Sequence, residues 1–234
     1  HWHGTTPSAA HPLGQLMNRV WFHGAAWRRC SSPELQVQCG VVLFIFAEIH
    51  IHRSCTEQAN AVATAMRNTG KTPVYVDCNA ISPQTAQRVA RIVTDAGASF
   101  IDTGIIGLAP GRAGNSEGPR FYVSGDVLEP MLALDGHGIR VVKAGDHYGE
   151  ASGLKMVYAG LTKGTWTLHT AILLAAKRLG VLDTLLEEFA FSQASALSAM
   201  RAQVPFIPAD SNRWIGEMEE IASTLSDTGV TSGF

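Results

Sequence analysis

The sequence predicts an α/β layer followed by an all-α half. Three observations carry that reading. Short β-rich apolar runs alternate with amphipathic helical stripes from residue 41 to about residue 143, the pattern of a mainly parallel sheet with covering helices. Beyond Gly145 every periodic stretch has helical spacing. The 234 residues are 46% hydrophobic and 16% charged, enough apolar material for a real core and too little charge for a disordered chain.

The elements follow in order. Residues 1–36 hold Trp2, Trp21 and Trp27 and four histidines, His1, His3, His11 and His23, with no helical or strand period. The chain begins with a histidine and shows no signal-peptide pattern, which reads as an incomplete or aberrant start. Residues 41–46 form a buried strand. Ser54 and Glu57 have the spacing of a capping box, with Thr56 a rival cap. Ala59, Val62, Ala63 and Met66 then make a helical stripe that Gly70 closes. Residues 73–78 read as a strand. Ser82-Pro83 opens the next helix with a hydroxyl cap and a first-turn proline. Its stripe is Ala86, Val89, Ala90 and Val93, and Gly97 ends it. Strands are expected at residues 99–102, 120–124 and 139–143, with a Gly/Pro-rich loop over 104–118 and a short helix ending near Gly136. Helices are then expected over 149–179, 182–189, 192–203 and 213–225. Gly180 stops the first, and Pro205-Phe206-Ile207-Pro208 breaks the chain before the last. The domain boundary falls near residue 144, giving domains 1–144 and 145–234.

Composition also limits the partners. A net charge of −2 with no basic block argues against nucleic acid. No apolar run reaches the ~18 residues of a membrane span. Cys30, Cys39, Cys55 and Cys78 have neither metal-like spacing nor the density of a secreted disulfide framework, so a reducing, cytoplasmic setting is expected. His1 with His3, and His50 with His52, would each share a strand face, but no acidic or cysteine ligand completes a metal site. Trp21 and Trp27 read as core side chains rather than a base-stacking platform.

The stretch with the most chemistry is Gly145-Asp146-His147-Tyr148-Gly149-Glu150-Ala151-Ser152-Gly153-Leu154-Lys155. A glycine-punctuated turn runs into a helix, and one lysine sits on its opening turns, where the two kinds of structure meet. Helical geometry puts Ala159, Thr162 and Trp166 on the face of Lys155. Lys163 lies about 80° round the helix, either a surface charge or one set behind Lys155.

Together with Val76-Asp77-Cys78-Asn79-Ala80-Ile81-Ser82-Pro83 and Phe100-Ile101-Asp102-Thr103-Gly104-Ile105-Ile106-Gly107, this stretch resembles the β-hydroxyacid dehydrogenase and 6-phosphogluconate dehydrogenase superfamily, and within it the phosphogluconate-dehydrogenase-like group with its own C-terminal helical domain. The likeness covers about residues 57–225 and includes Arg213-Trp214-Ile215-Gly216-Glu217-Met218 in the last helix. It implies an incomplete Rossmann-like domain joined by a long helix to a helical domain that pairs into a homodimer. It implies NADP or NAD as cofactor, a small hydroxy acid or related carbonyl as substrate, and Lys155 as the catalytic proton shuttle. Asn79 and Ser82 fall beside the nicotinamide in this likeness. Ile106, Gly107, Ala159 and Thr162 fall against the substrate.

The sequence departs from the family in four places. Nothing in residues 1–56 matches the Gly-x-Gly-x-x-Gly fingerprint that brings a pyrophosphate against backbone N–H groups. Ile106 stands for the loop serine and Ala159 for the asparagine four residues past the lysine. The last helix has no lysine counterpart, with Glu217 nearby. A catalytically silent dimerising relative is therefore the competing reading.

Each site residue also has a structural alternative. Lys155 can be a solvated lysine on an amphipathic helix. Asn79 can be a turn residue fixing its own backbone, and Gly104 and Gly107 can be turn glycines. Asp77 and Asp102 read as loop caps rather than an acid and a base.

Overall fold

A computed structural model describes residues 41–44, 55–107, 118–137 and 139–233. The chain divides into two compact units, one ending at Leu154 and one beginning at Lys155.

The first unit is the α/β layer. Its elements are β1 (Val41–Phe44), α1 (Cys55–Thr69), β2 (Val74–Asp77), α2 (Pro83–Thr94), β3 (Phe100–Ile106), β4 (Arg120–Ser124), α3 (Glu129–Leu132), β5 (Arg140–Gly145) and the first turn of α4 (Glu150–Leu179). The described strands form one five-stranded sheet in the order β1-β2-β3-β4-β5. β1/β2, β2/β3 and β4/β5 are parallel, and β3/β4 is antiparallel. Parallel pairing needs a crossover, which α1 and α2 supply. The expected capping pair involves Ser54, which lies outside the described residues, as do His50 and His52.

Alternation along the central strands builds a core on each face. Tyr75 and Phe100 point to one side with Ala59, Val62, Met66, Val89 and Val93 of α1 and α2. Val76 and Ile101 point to the other with Phe121, Val123, Met131 and Val141. One residue's step along a strand changes the face, so a sheet covered on both sides needs these near-continuous apolar runs. α2 starts as its sequence predicts: Ser82 Oγ accepts the Thr85 N–H at 3.3 Å, and Pro83 fills the first turn.

The second unit contains the rest of α4, then α5 (Leu182–Ser192), α6 (Ala194–Gln203), a 3₁₀ turn (Val204–Phe206) and α7 (Ile207–Asp227). Gly180, at φ 72°, ends α4, and the Val181 N–H returns to the Ala176 carbonyl at 3.0 Å, the six-to-one bond of a left-handed cap. α7 starts earlier than the expected residue 213. Pro208 sits in its first turn, where a missing N–H breaks no helical bond, so the proline pair tightens the chain into a 3₁₀ turn and then opens the helix. No helix among the described residues is long and apolar enough to cross a membrane.

Candidate functional site

In the first unit β2 and β3 carry two buried aspartates, paired across the sheet, that do different work. Asp102, on β3, is a hub. Its Oδ2 accepts the backbone N–H groups of Gly149 and Ser152, each at 3.0 Å, and the Ser124 hydroxyl at 3.1 Å. Its Oδ1 accepts the Ser152 hydroxyl at 2.5 Å. Ser124 Oγ in turn accepts the Ala151 N–H at 3.1 Å. Asp102 inside β3 and Ser124 at the end of β4 therefore cap the N-terminus of α4, where unpaired N–H groups and the positive end of the helix dipole favour a carboxylate. Burial pushes the Asp102 carboxyl above its ordinary range, while these donors pull it down. Asp102 thus caps a helix far along the chain, not the loop beside it that the sequence suggests.

The turn into α4 is held at four further points. The Tyr148 ring meets Phe100 edge-on at 5.3 Å. Its hydroxyl donates to Asp126 at 3.0 Å, and its carbonyl accepts from Gln87 Nε2 at 3.2 Å. Glu150 reaches back to accept the His147 N–H at 2.7 Å.

Asp77, at the end of β2, accepts from the Asn79 backbone N–H at 2.9 Å and from Asn79 Nδ2 at 2.6 Å, both on Oδ1. The Asn79 amide thereby turns its N–H₂ toward Asp77 and leaves Oδ1 as a buried acceptor with no hydrogen-bond partner. Asp77 Oδ2 is also buried and unpartnered. Burial, partly offset by the two bonds from Asn79 and reinforced by Asp102, lifts the Asp77 carboxyl to about 7. Asn79 thus acts in part as the turn residue its alternative reading described. Ser82 is buried and committed to the α2 cap, its hydroxyl also donating to Thr85 Oγ1 at 3.0 Å. Ile106 is half-buried at the end of β3, and Gly107 follows it, exposed. Gly107 has φ 118°, and a Cβ there would stand 3.3 Å from Pro119 Cα, so the turn itself requires glycine.

The second unit contains the lysine. Lys155 Nζ lies 3.8 Å from Glu217 Oε1, with both side chains largely buried. Lys163 Nζ bonds the other oxygen, Oε2, at 2.5 Å. Desolvation lowers the Lys155 pKa; Glu217 opposes that and Lys163 adds to it. Lys155 is therefore not the solvated lysine of its alternative reading. Of the two places open to Lys163, the structure shows the inner one. Ala159 is buried, and Thr162 Oγ1 donates to the Tyr158 carbonyl at 3.1 Å. Trp166 packs on Trp214 of α7 at 5.4 Å, and Lys163 lies 5.6 Å from the Trp214 ring centre. A cleft of about 450 Å³, mostly apolar, is lined by Lys163, Trp166, Ile207, Trp214 and Met218 among others and does not reach Lys155. The half-buried trio Lys155, Glu217 and Lys163 adjoins this cleft through Lys163, which lines it.

Residues 17–129 match the family described as the NAD binding domain of 6-phosphogluconate dehydrogenase. Residues 176–234 match a domain of unknown function, DUF1932. The chain thus carries a match to this NAD-binding domain followed by a match to DUF1932. Among solved structures, a conserved protein of unknown function, described as structurally similar to 3-hydroxyacid dehydrogenases, is 27% identical with a TM-score of 0.56, over 72% of this chain and 64% of its own. The 3-hydroxyisobutyrate dehydrogenase of Mycobacterium tuberculosis, at 16% identity and TM-score 0.52 over 85% and 71% of the two chains, shares the fold. An uncharacterised 28.5 kDa protein of Methanothermus fervidus is 29% identical over 114 residues, 49% of this chain and 42% of the relative. The chain thus spans less than two thirds of the length of the conserved protein of unknown function and of the Methanothermus fervidus protein.

Proposed function

We propose that the chain is an NAD- or NADP-dependent oxidoreductase that acts on the CH–OH group of a small hydroxy acid, or on a related carbonyl or imine, with Lys155 as the proton relay. The observation that carries this reading is the buried Lys155 amine, its pKa lowered by desolvation, held 3.8 Å from an otherwise unbonded carboxylate oxygen. A lysine in bulk water is almost wholly protonated at neutral pH and makes a poor base; burial brings the neutral amine within reach.

The nicotinamide, when bound, supplies the acceptor or donor of hydride. The residues present fit its carboxamide on one point: Asn79 Oδ1 is a buried acceptor without a donor, and an unmet acceptor of that kind favours an incoming N–H. Ser82 keeps the turn after Asn79 in shape through its cap. In the oxidation direction neutral Lys155 takes the hydroxyl proton as the hydride leaves; in reduction the ammonium returns it. Thr162 spends its hydroxyl hydrogen on the Tyr158 carbonyl and so offers the substrate a lone pair, while Ala159, on the same helix face, supplies shape. The substrate is a small molecule, and the setting is cytoplasmic.

The protein works as a homodimer through its helical unit. Its helices leave large apolar side chains in water, Leu161, Leu168, Phe191 and Ile215 among them, and α5 has no buried residue. A second copy of the helical unit would cover such exposed apolar side chains.

Titration with NADPH and NADH, followed by nucleotide fluorescence, tests the reading. Saturable binding in the micromolar range supports it. No binding, together with a stable dimer in sizing chromatography, replaces it with the silent dimerising relative, whose warrant is the absence of a glycine fingerprint from residues 1–56.

A further inference from the structure

We propose that Glu217 is the positioning residue of the Lys155 amine: one carboxylate oxygen is clamped by Lys163, and the other is the counter-charge that holds Lys155 in place and sets how readily it exchanges a proton. The proposal rests on the reading of Lys155 as the relay. The two charged groups that face Nζ in this unit are Glu217, from α7, and Lys163, two turns along its own helix. Their distances are unequal. Lys163 bonds Oε2 at 2.5 Å, a full charge-assisted hydrogen bond. Lys155 stands 3.8 Å from Oε1, beyond hydrogen-bond range yet close enough for strong attraction in a poorly solvated place.

That asymmetry has a chemical use. A tight pair would fix Lys155 as ammonium and stop it accepting a proton. With no carboxylate, two buried ammonium groups would face each other and Lys155 would stay neutral. A carboxylate already shared with Lys163 stands between these extremes. Oε1 accepts no hydrogen bond, so it can tighten on Nζ when the amine gains a proton and relax when it loses one. Lys163 is a positioning group in the same sense, because it holds the carboxylate while Lys155 changes charge.

The test reads Lys155 without a substrate. The full chain is labelled with trace acetic anhydride from pH 6 to pH 11, and acetylation of Lys155 is measured by peptide mass spectrometry. Glu217→Gln lowers the pH of half-reaction by about one unit, since the ammonium loses its counter-charge and keeps its neighbour's repulsion. Lys163→Met raises it by a similar amount, and Glu217→Asp, which keeps the charge, stays near wild type. Opposite movements in the first two variants are the signature that a packing role does not produce. A half-reaction pH in Glu217→Gln that is unchanged, or higher than wild type, overturns the proposal. Circular dichroism of each variant checks the fold, and the Asp variant carries the test if Gln fails to fold. Normal turnover by Lys155→Met would reject the relay reading and leave the labelling result standing, so the two failures are distinct.

Discussion

The Asp102 carboxylate accepts the Ser152 hydroxyl at 2.5 Å across 50 residues of sequence, and by that bond strand β3 fixes the start of the helix that carries Lys155. The same carboxylate holds the N–H groups of Gly149 and Ser152. Asp102→Ala strands three donor groups and unhooks Ser124. The expected loss is roughly 3–4 kcal/mol of folding stability, measured by guanidinium denaturation. A loss under about 1 kcal/mol would show that water replaces the carboxylate and that α4 is anchored elsewhere.

Asp77 gives the fold a pH dependence whose sign is set by burial. Its folded carboxyl titrates at about 7 against an ordinary 3.8. Between those values the folded chain binds the proton and the unfolded chain does not. The contribution of Asp77 to stability is therefore full below pH 3.8 and is lost as pH rises through 7. The urea midpoint is expected to fall between pH 5 and pH 8, and Asp77→Asn, which mimics the neutral carboxyl, is expected to flatten that fall and to be the more stable chain at pH 8. An equal slope in both proteins counts against a buried, protonated Asp77.

Much of this was legible in the sequence because it is local. Ser82-Pro83 opens α2, and Gly70 and Gly180 stop α1 and α4, since caps and left-handed glycines act within one turn. The five strand positions are legible because alternation and apolar runs are short-range signals. The Asp102 hub is not, because nothing near Asp102 in sequence names Ser152 as its partner. The bond from Glu217 to Lys163 is missed for the same reason: a helical period says which face Lys163 occupies, not what the other helix offers there. The early start of α7 is missed because one proline motif serves both as a breaker and as a first turn.

Gly149 tests how closely the two helix starts are packed. Its φ is 100°, and a Cβ built there would stand 3.1 Å from the Pro83 side chain and carbonyl. Gly70 also has positive φ, 65°, but open space around it. Gly70→Ala is expected to cost about 1 kcal/mol from backbone strain alone, and Gly149→Ala at least ~1 kcal/mol more, because Pro83 heads a helix and cannot easily give. Equal costs in thermal or denaturant melts would show that α2 moves to make room.

Lys155 should separate turnover from stability. Lys155→Met removes the relay and is expected to lower kcat by about 10²–10⁴-fold while NADPH or NADH affinity stays within about twofold. It also replaces a desolvated amine with an apolar side chain of similar length, and Glu217 keeps Lys163 as its partner. Stability is therefore expected to hold or to rise by up to about 1 kcal/mol, the usual relation between a strained functional group and its apolar substitute. Because desolvation lowers the folded pKa of Lys155, the rising limb of the oxidation rate should fall at lower pH than free lysine would give, and reduction should decline over the same range. A variant that loses turnover and also unfolds readily would assign Lys155 to structure. One that keeps both turnover and the wild-type pH limb would move the relay to another group.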